Sequence, residues 1–410
     1  MLKFGVLEVT ALYGNIMVAI DNSEWSNYAV CIALDLAKRT KAKVTGAHVY
    51  AAQLHGTRFR QLEPGLPERY QSEELLQRQR NIHGDLIGRG LGIISDAYLD
   101  VFTDQCRQAD VTAERKALEG RNYERLVSDA RESGYDLVVI GAHGLGRISR
   151  AVIGSVCERV VRLVDCDVLV VRDDRALGTG SLLVAMDGSA HSFAALYKGL
   201  ALSQIYGNSV KAVAAYDPFF HRVAFRSVTG VLSDEASKLF RFKEQEKLHD
   251  EIIDEGLMKT YRSHLLRAQK IAAETGIQLE IDVLEGKPFE AITTHVEQMR
   301  PSALLVGRTG MHHGAGVMLG STTENLLRFA DCNVLVVNCG REEATATSDT
   351  EESAAEIAMP WAIEAEERLE RVPSFARNIA RRGIEGYARE HGHIVITLDV
   401  YEAARQRFGM

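Results

Sequence analysis

Short apolar runs alternate with stretches of helical spacing along most of this chain. "NIMVAID" (15–21) is a compact apolar run. "WSNYAVCIALDLAKRT" (25–40) then repeats apolar residues at helical intervals, with Ser23 placed as an N-cap. "AKVTGAHVYA" (42–51) predicts a second strand, and a long, mainly helical stretch runs from about Ser72 to Gln108. The "GRGLG" in its middle weakens helix there. "TAERKALEG", "YDLVVIG" and "DVLVVR" predict three more strands, separated by the helical segments "NYERLVSDARESG" and "SVCERVVRLV". Strands alternating with helices imply parallel pairing. The continuously apolar "DLVVIG" and "DVLVV" fit strands covered on both faces.

The pattern occurs twice. "NIMVAIDNSEWS" matches "SLLVAMDGSAHS", "VIGAHG" matches "LVGRTG", and "VDCDVLVVR" matches "ADCNVLVVN", each 166 positions apart with no gap. A repeat this long is a domain rather than a solenoid unit. Residues 1–174 and 175–340 are therefore read as two similar domains. The acidic, Ala/Ser/Thr-rich stretch 341–358 reads as a flexible linker. Residues 359–410 regain apolar periodicity at Trp361, Leu369, Phe375 and Ile379, with a break at Pro373, and predict a small, mainly helical module.

The chain has 410 residues, a net charge of −8 and six cysteines. An acidic balance argues against non-specific nucleic-acid binding, which needs clustered cations. No run is long and apolar enough to span a bilayer, and "MLKFGVLEVTALYGN" is a poor signal peptide. Six cysteines without a CxxC pair suit a reducing compartment, so a cytoplasmic location is expected. No Ser/His/Asp arrangement, carboxylate pair or metal cluster emerges, so no dedicated catalytic activity is expected. His83 and His249 occupy equivalent places in the long helical stretches, but neither has a second ligand at i+4; packing or surface roles are the better reading.

The chemistry concentrates in "GAHGLGRISRAVIGS" (141–155). Gly141 and Gly144 leave a strand, and nine residues then separate Gly144 from the Gly154-Ser155 that opens a helix; Gly307, Gly310 and Gly320-Ser321 keep the spacing. Glycines there permit positive φ and close ligand approach, and a helix N-terminus attracts phosphate. Ser155 with Glu158, and Ser321 with Glu324, read as capping boxes. The loop is neither a P-loop nor a GxGxxG dinucleotide motif. A tight turn packing helix on strand is the competing reading. Asp21 and Asp187 end the first strand of each copy, where a carboxylate could accept hydrogen bonds from adenine or ribose, or form an N-cap or Asx turn.

Together the strand-end Asp in "VA[IM]D.S", the G-x2-G-x9-G-[ST] spacing and "CDVLVV" resemble the universal stress protein family, twice over, across roughly residues 15–338. The resemblance implies an α/β fold of two tandem doubly wound domains with five-stranded parallel sheets, like adenine-nucleotide alpha hydrolases. It also implies pairing of the two domains within one chain, frequent dimerisation, and binding of ATP or AMP, with Mg2+ as an accompanying ion. By position, Asp21 and Val49 would face adenine, and Gly141, Gly144, Gly154 and Ser155 would hold ribose and phosphates. Asp187, Ala215, Gly307, Gly310, Gly320 and Ser321 would do the same in the second domain. Such a protein is a non-catalytic nucleotide-binding regulator of stress responses; the alternative is a scaffold that binds little nucleotide. Three departures stand out. Asp167 and Asn333 replace the Pro usual after the late Cys, Asn22 stands where the second copy has Gly188, and the second loop carries His312 and His313. The tail, from Trp361 through Pro373 to Val400, is similar to the C-terminal module of the light-independent protochlorophyllide reductase B subunit. It reads as a docking or oligomerisation element for a protein partner.

Overall fold

A computed structural model describes residues 12–146, 152–219, 254–311, 317–339, 360–370, 374–391, 393 and 395–408. The expected linker 341–358, His249, His312 and His313 lie outside the described residues. The first domain runs β1 (Asn15–Ala19), α1 (Glu24–Thr40), β2 (Lys43–Tyr50), α2 (Ala52–Leu62), α3 (Glu73–Ala109), β3 (Ala113–Glu119), α4 (Asn122–Ser133), β4 (Leu137–Gly141), α5 (Ser155–Leu163) and β5 (Asp167–Val171). The second runs β6 (Leu182–Ala185), α6 (Ala190–Tyr206), β7 (Val210–Tyr216), α7 (Asp254–Glu274), β8 (Leu279–Glu285), α8 (Pro288–Met299), β9 (Ala303–Gly307), α9 (Ser321–Phe329) and β10 (Asn333–Val337).

The strands form one ten-stranded sheet in the order β3-β2-β1-β4-β5-β10-β9-β6-β7-β8. Within each half every pairing is parallel; the halves join through antiparallel β5 and β10, with Leu169 opposite Leu335. Val168–Val170 and Val334–Val336 are fully buried, as the continuous apolar runs required. One apolar layer, under α1, α3, α6 and α7, crosses the join on one face; a second, under α4, α5, α8 and α9, crosses it on the other. Residues 1–340 thus form one compact unit.

The join explains Asp167 and Asn333. Asp167 is buried and accepts hydrogen bonds from Tyr13 Oη (2.7 Å) and from the backbone N–H of Asn338 in the other half (2.8 Å); Lys198 Nζ, also from the other half, lies 3.4 Å away. Asn333 Oδ1 accepts from the N–H of Arg172 (2.8 Å), and its amide donates to the carbonyl of Arg175 (3.1 Å). A proline could supply none of these bonds.

α3 runs for 37 residues straight through Gly88, Gly90 and Gly92, correcting the expected weakness at "GRGLG". Tertiary anchors hold it at both ends. Phe102 packs against Gly46 of β2, where a Cβ would sit 2.6 Å from the ring. Near the other end Arg80 pairs with Glu63 at 2.7 Å. His83 stacks on Phe59 with ring centres 4.5 Å apart, which is the packing role.

The remaining unit, residues 341–410, contains α10 (Ile363–Glu370), α11 (Ser374–Glu390) and α12 (Leu398–Phe408). Its core is small: Ala365, Leu369, Ala380, Ile384, Ala388, Ile396, Val400, Tyr401 and Ala404. Trp361 donates from Nε1 to Glu385 (3.0 Å) beneath the guanidinium of Arg381. The side chains of Phe375 and Ile379 lie outside the described residues.

Candidate functional site: two matching clefts

In each half the strand order reverses between the first strand and the fourth, and a doubly wound sheet opens a crevice at such a switch point. A cleft of about 530 Å3 lies there in the first half, lined by Asp21, Val49, Gly141, Gly144, Gly154 and Ser155. One of about 520 Å3 lies in the second, lined by Asp187, Ala215, Gly307, Gly310, Gly320 and Ser321. All twelve positions singled out from the sequence therefore converge, six to a cleft.

The first cleft is built around Asp21. Its Oδ1 accepts from the N–H of Ser23 (3.0 Å), an Asx turn, and its Oδ2 accepts from the N–H of Leu145 in the glycine loop (3.2 Å). Ser23 caps α1 by accepting from the N–H of Ser26 (3.2 Å) and donates to the His143 carbonyl (3.3 Å). The second cleft repeats this. Asp187 accepts from the N–H of Ser189 (3.0 Å), from its hydroxyl (2.6 Å) and from the N–H of Met311 (2.9 Å). The aspartate is thus both an Asx turn and a clamp on the loop. A carboxylate offers about four acceptor sites, so capacity remains for a ligand donor.

Five of the six glycines are required by contact rather than by conformation; at Gly320 a Cβ would find only ordinary contacts at 3.5 Å. None of the six has positive φ, which corrects the conformational part of the expectation. A Cβ on Gly144 would sit 2.4 Å from Asp21 Oδ2, and on Gly310, 2.6 Å from Asp187 Oδ2. On Gly141 and Gly307 it would strike the first turn of α1 or α6 at 2.8 Å, so these two serve close helix–strand packing. Positive φ occurs instead beside the aspartates, at Asn22 (61°) and Gly188 (89°). Asn tolerates that region; Gly188 is further constrained because the His264 ring lies 2.6 Å from where its Cβ would be.

The helix caps also differ from expectation. Gly154 and Gly320 are the N-caps, and Ser155 and Ser321 are the first helical residues. The capping boxes therefore do not form. Gly154 N–H is tied to the Ala142 carbonyl (2.7 Å), and Gly320 N–H to that of Arg308 (2.9 Å), so each helix start is fastened to the end of its strand. The N–H groups of the first helical turn have no intrahelical acceptor and face the cleft with the positive end of the dipole. Glu158 and Glu324 form an ion quartet with Arg162 and Arg328 across the join, at 2.7 Å for Arg328–Glu158 and 3.1 Å for Arg162–Glu324.

Sequence reasoning missed His48. It lies at the cleft wall beside Val49, its Nδ1 2.9 Å from Ser95 Oγ and its ring edge-on to Tyr98. Burial lowers its pKa against the pull of Asp21, favouring the neutral imidazole. Its counterpart is Ala214, and Tyr261 of α7 lines the second cleft instead. A polar residue inside an apolar strand, unmatched in the repeat, was the available signal. Among the described residues no group of three His, Cys, Asp or Glu could hold a metal, and no helix is long and apolar enough to cross a membrane.

Residues 12–172 and 179–338 each match the model of the universal stress protein family. The chain belongs to the universal stress protein family. Residues 361–405 match the model described as the proto-chlorophyllide reductase 57 kD subunit, as the tail suggested. A putative universal stress protein of Staphylococcus haemolyticus is 31% identical over 166 residues, 40% of this chain and 86% of that protein. Universal stress protein YxiE of Bacillus subtilis is 27% identical over 39% of this chain and 100% of its own length. A universal stress protein from Archaeoglobus fulgidus shares the fold, with a TM-score of 0.53 at 16% identity over 80% of this chain and 98% of that one. The universal stress protein architecture is therefore present twice, joined into a single sheet.

Proposed function

We propose that both clefts bind adenine nucleotides, ATP or AMP, and that the protein is a non-catalytic, nucleotide-dependent regulator of stress responses. One observation carries this reading: the same Asp-to-loop clamp, beside a helix N-terminus, stands at the switch point of both halves. Apolar walls such as Val49 and Leu126 suit a purine, and the glycine-lined loop and free helical N–H groups suit phosphates. With no clustered metal ligands described, Mg2+ would enter on the phosphate oxygens. Six free thiols are consistent with a cytoplasmic setting, and the compact C-terminal unit is assigned to docking a protein partner.

The test is direct. Protein purified without added nucleotide is denatured and the supernatant assayed for AMP and ATP, alongside calorimetric titration up to about 1 mM ATP. The absence of both released nucleotide and binding heat would sink the reading. Gly154→Val should abolish binding in the first cleft while far-UV circular dichroism is unchanged. A Cβ there already lies 3.0 Å from the Ala142 carbonyl, so the branched side chain must displace the loop.

A further inference from the structure

The first turns of α5 and α9 face different clefts, and the two helices are tied across the join by the quartet of Glu158, Arg162, Glu324 and Arg328. Their far ends are held by two arginines, one from each half. Arg308, the residue after β9, is buried. Its Nη2 donates to the Arg162 carbonyl in the last turn of α5 (2.8 Å), and its Nε to the Met318 carbonyl in the loop of its own cleft (2.9 Å). Arg172, the residue after β5, donates from Nη2 to the Leu327 carbonyl and to that of Arg328 (3.1 Å) in the last turn of α9. Its Nη1 reaches the Val152 carbonyl in the loop of the first cleft (3.5 Å). Carbonyls in the last turn of a helix lack an intrahelical donor, and a cation there meets the negative end of the dipole.

The bonds match although the arginines do not. Met318 is the counterpart of Val152, and Arg328 of Arg162, each 166 positions on, so the two guanidiniums span equivalent carbonyls in opposite senses. The counterpart of Arg308 is Ala142, and that of Arg172 is Asn338. Duplication therefore does not account for the bridge, which is built twice from the ends of different strands. It also carries a cost. Arg308 Nη1 and Arg172 Nε are buried with no acceptor among the described residues.

We propose that Arg172 and Arg308 are positioning residues that couple the two clefts, each fastening the loop of its own cleft to the far end of the helix that opens into the other. The inference rests on the reading that both clefts bind adenine nucleotide. Arg308 fixes Met318 through Nε and Gly320 through its own carbonyl, on either side of Leu319, which lines the second cleft. A phosphate on the first turn of α5 steadies a helix only nine residues long, and with it the Arg162 carbonyl that anchors Arg308. The first nucleotide thus orders part of what the second would have to order, so the second binds more tightly. By linkage the factor is the same whichever cleft fills first.

Calorimetric titration of the full chain with ATP tests this. Gly154→Val closes the first cleft. Gly310→Val closes the second, because a Cβ there already stands 2.6 Å from Asp187 Oδ2. The two single-cleft chains give the affinity of each cleft beside an empty one. The wild-type chain should bind its second ATP at least about fivefold more tightly than those affinities predict. Arg308→Met keeps the apolar bulk of the stem and loses the donors. Measured against the same two Val variants in its own background, it should bring that factor back to one, and Arg172→Met, at a half-buried position, should lower it. A residue that served only stability would leave the factor unchanged. A wild-type isotherm equal to the sum of the two single-cleft isotherms, or a factor that survives both Met variants, overturns the coupling while nucleotide binding stands. A chain that takes up no ATP in either cleft overturns the nucleotide reading and the coupling with it.

Discussion

Gly144 and Gly310 hold their positions because an aspartate oxygen occupies the space a side chain would need. Gly144→Ala should break the Asp21 clamp on Leu145. Nucleotide affinity at the first cleft should fall by about tenfold or more, read by calorimetry, with a stability loss of about 1–2 kcal/mol. Gly146→Ala, whose Cβ meets nothing within 4 Å, is the control for stability and should leave it unchanged. His48 predicts a pH effect of definite sign. Its imidazole is held below its ordinary pKa by burial, and His295 is likewise lowered, by burial and then by Lys211. The unfolded imidazoles therefore take up protons first as pH falls, near 6.5, and folding stability should drop below about pH 6.5. Urea midpoints between about pH 7 and 5 should show this slope, and His48→Gln should flatten it in part.

The spacing of apolar runs is enough to place nearly every strand and helix of the first half, because period and length were unambiguous there. The glycine loop was legible as a site but not as a geometry. Spacing cannot distinguish a glycine needed for positive φ from one needed because an aspartate or a helix turn comes within 3 Å. Nor can it tell that a serine after a glycine is the first helical residue rather than the cap. α3 misled in the other direction, since four glycines argue against helix while Phe102 on Gly46 and the Arg80–Glu63 pair lie beyond any local window. Gly84→Ala and Gly88→Ala, where a Cβ would meet nothing within 4 Å, should each stabilise the protein by about 0.5–1 kcal/mol in urea unfolding. A destabilisation at either would mean that α3 is not continuous in solution.

The join of the two halves is held by apolar strands, by the symmetric quartet of Glu158, Arg162, Glu324 and Arg328, and by a few polar groups without symmetric counterparts. Asp167 pairs with Lys198, but the residue matching Lys198 in the first copy is Ile32, and the one matching Asp167 is Asn333. Burial raises the Asp167 carboxyl pKa, and Lys198 is the foremost opposing influence. Lys198→Met should therefore cost about 1–3 kcal/mol at neutral pH, because Tyr13 and the Asn338 N–H still serve the carboxylate. The loss should shrink as pH is lowered and the carboxyl takes up a proton, which unfolding at two pH values would reveal. A pair of separate identical chains would need every interface residue to work from both sides at once. Here the covalent connection guarantees that each half always meets the other, whatever the dilution. One copy can therefore keep the acid and the other the base, one cleft a histidine and the other a tyrosine, and the two halves are free to become different sites without ceasing to fit.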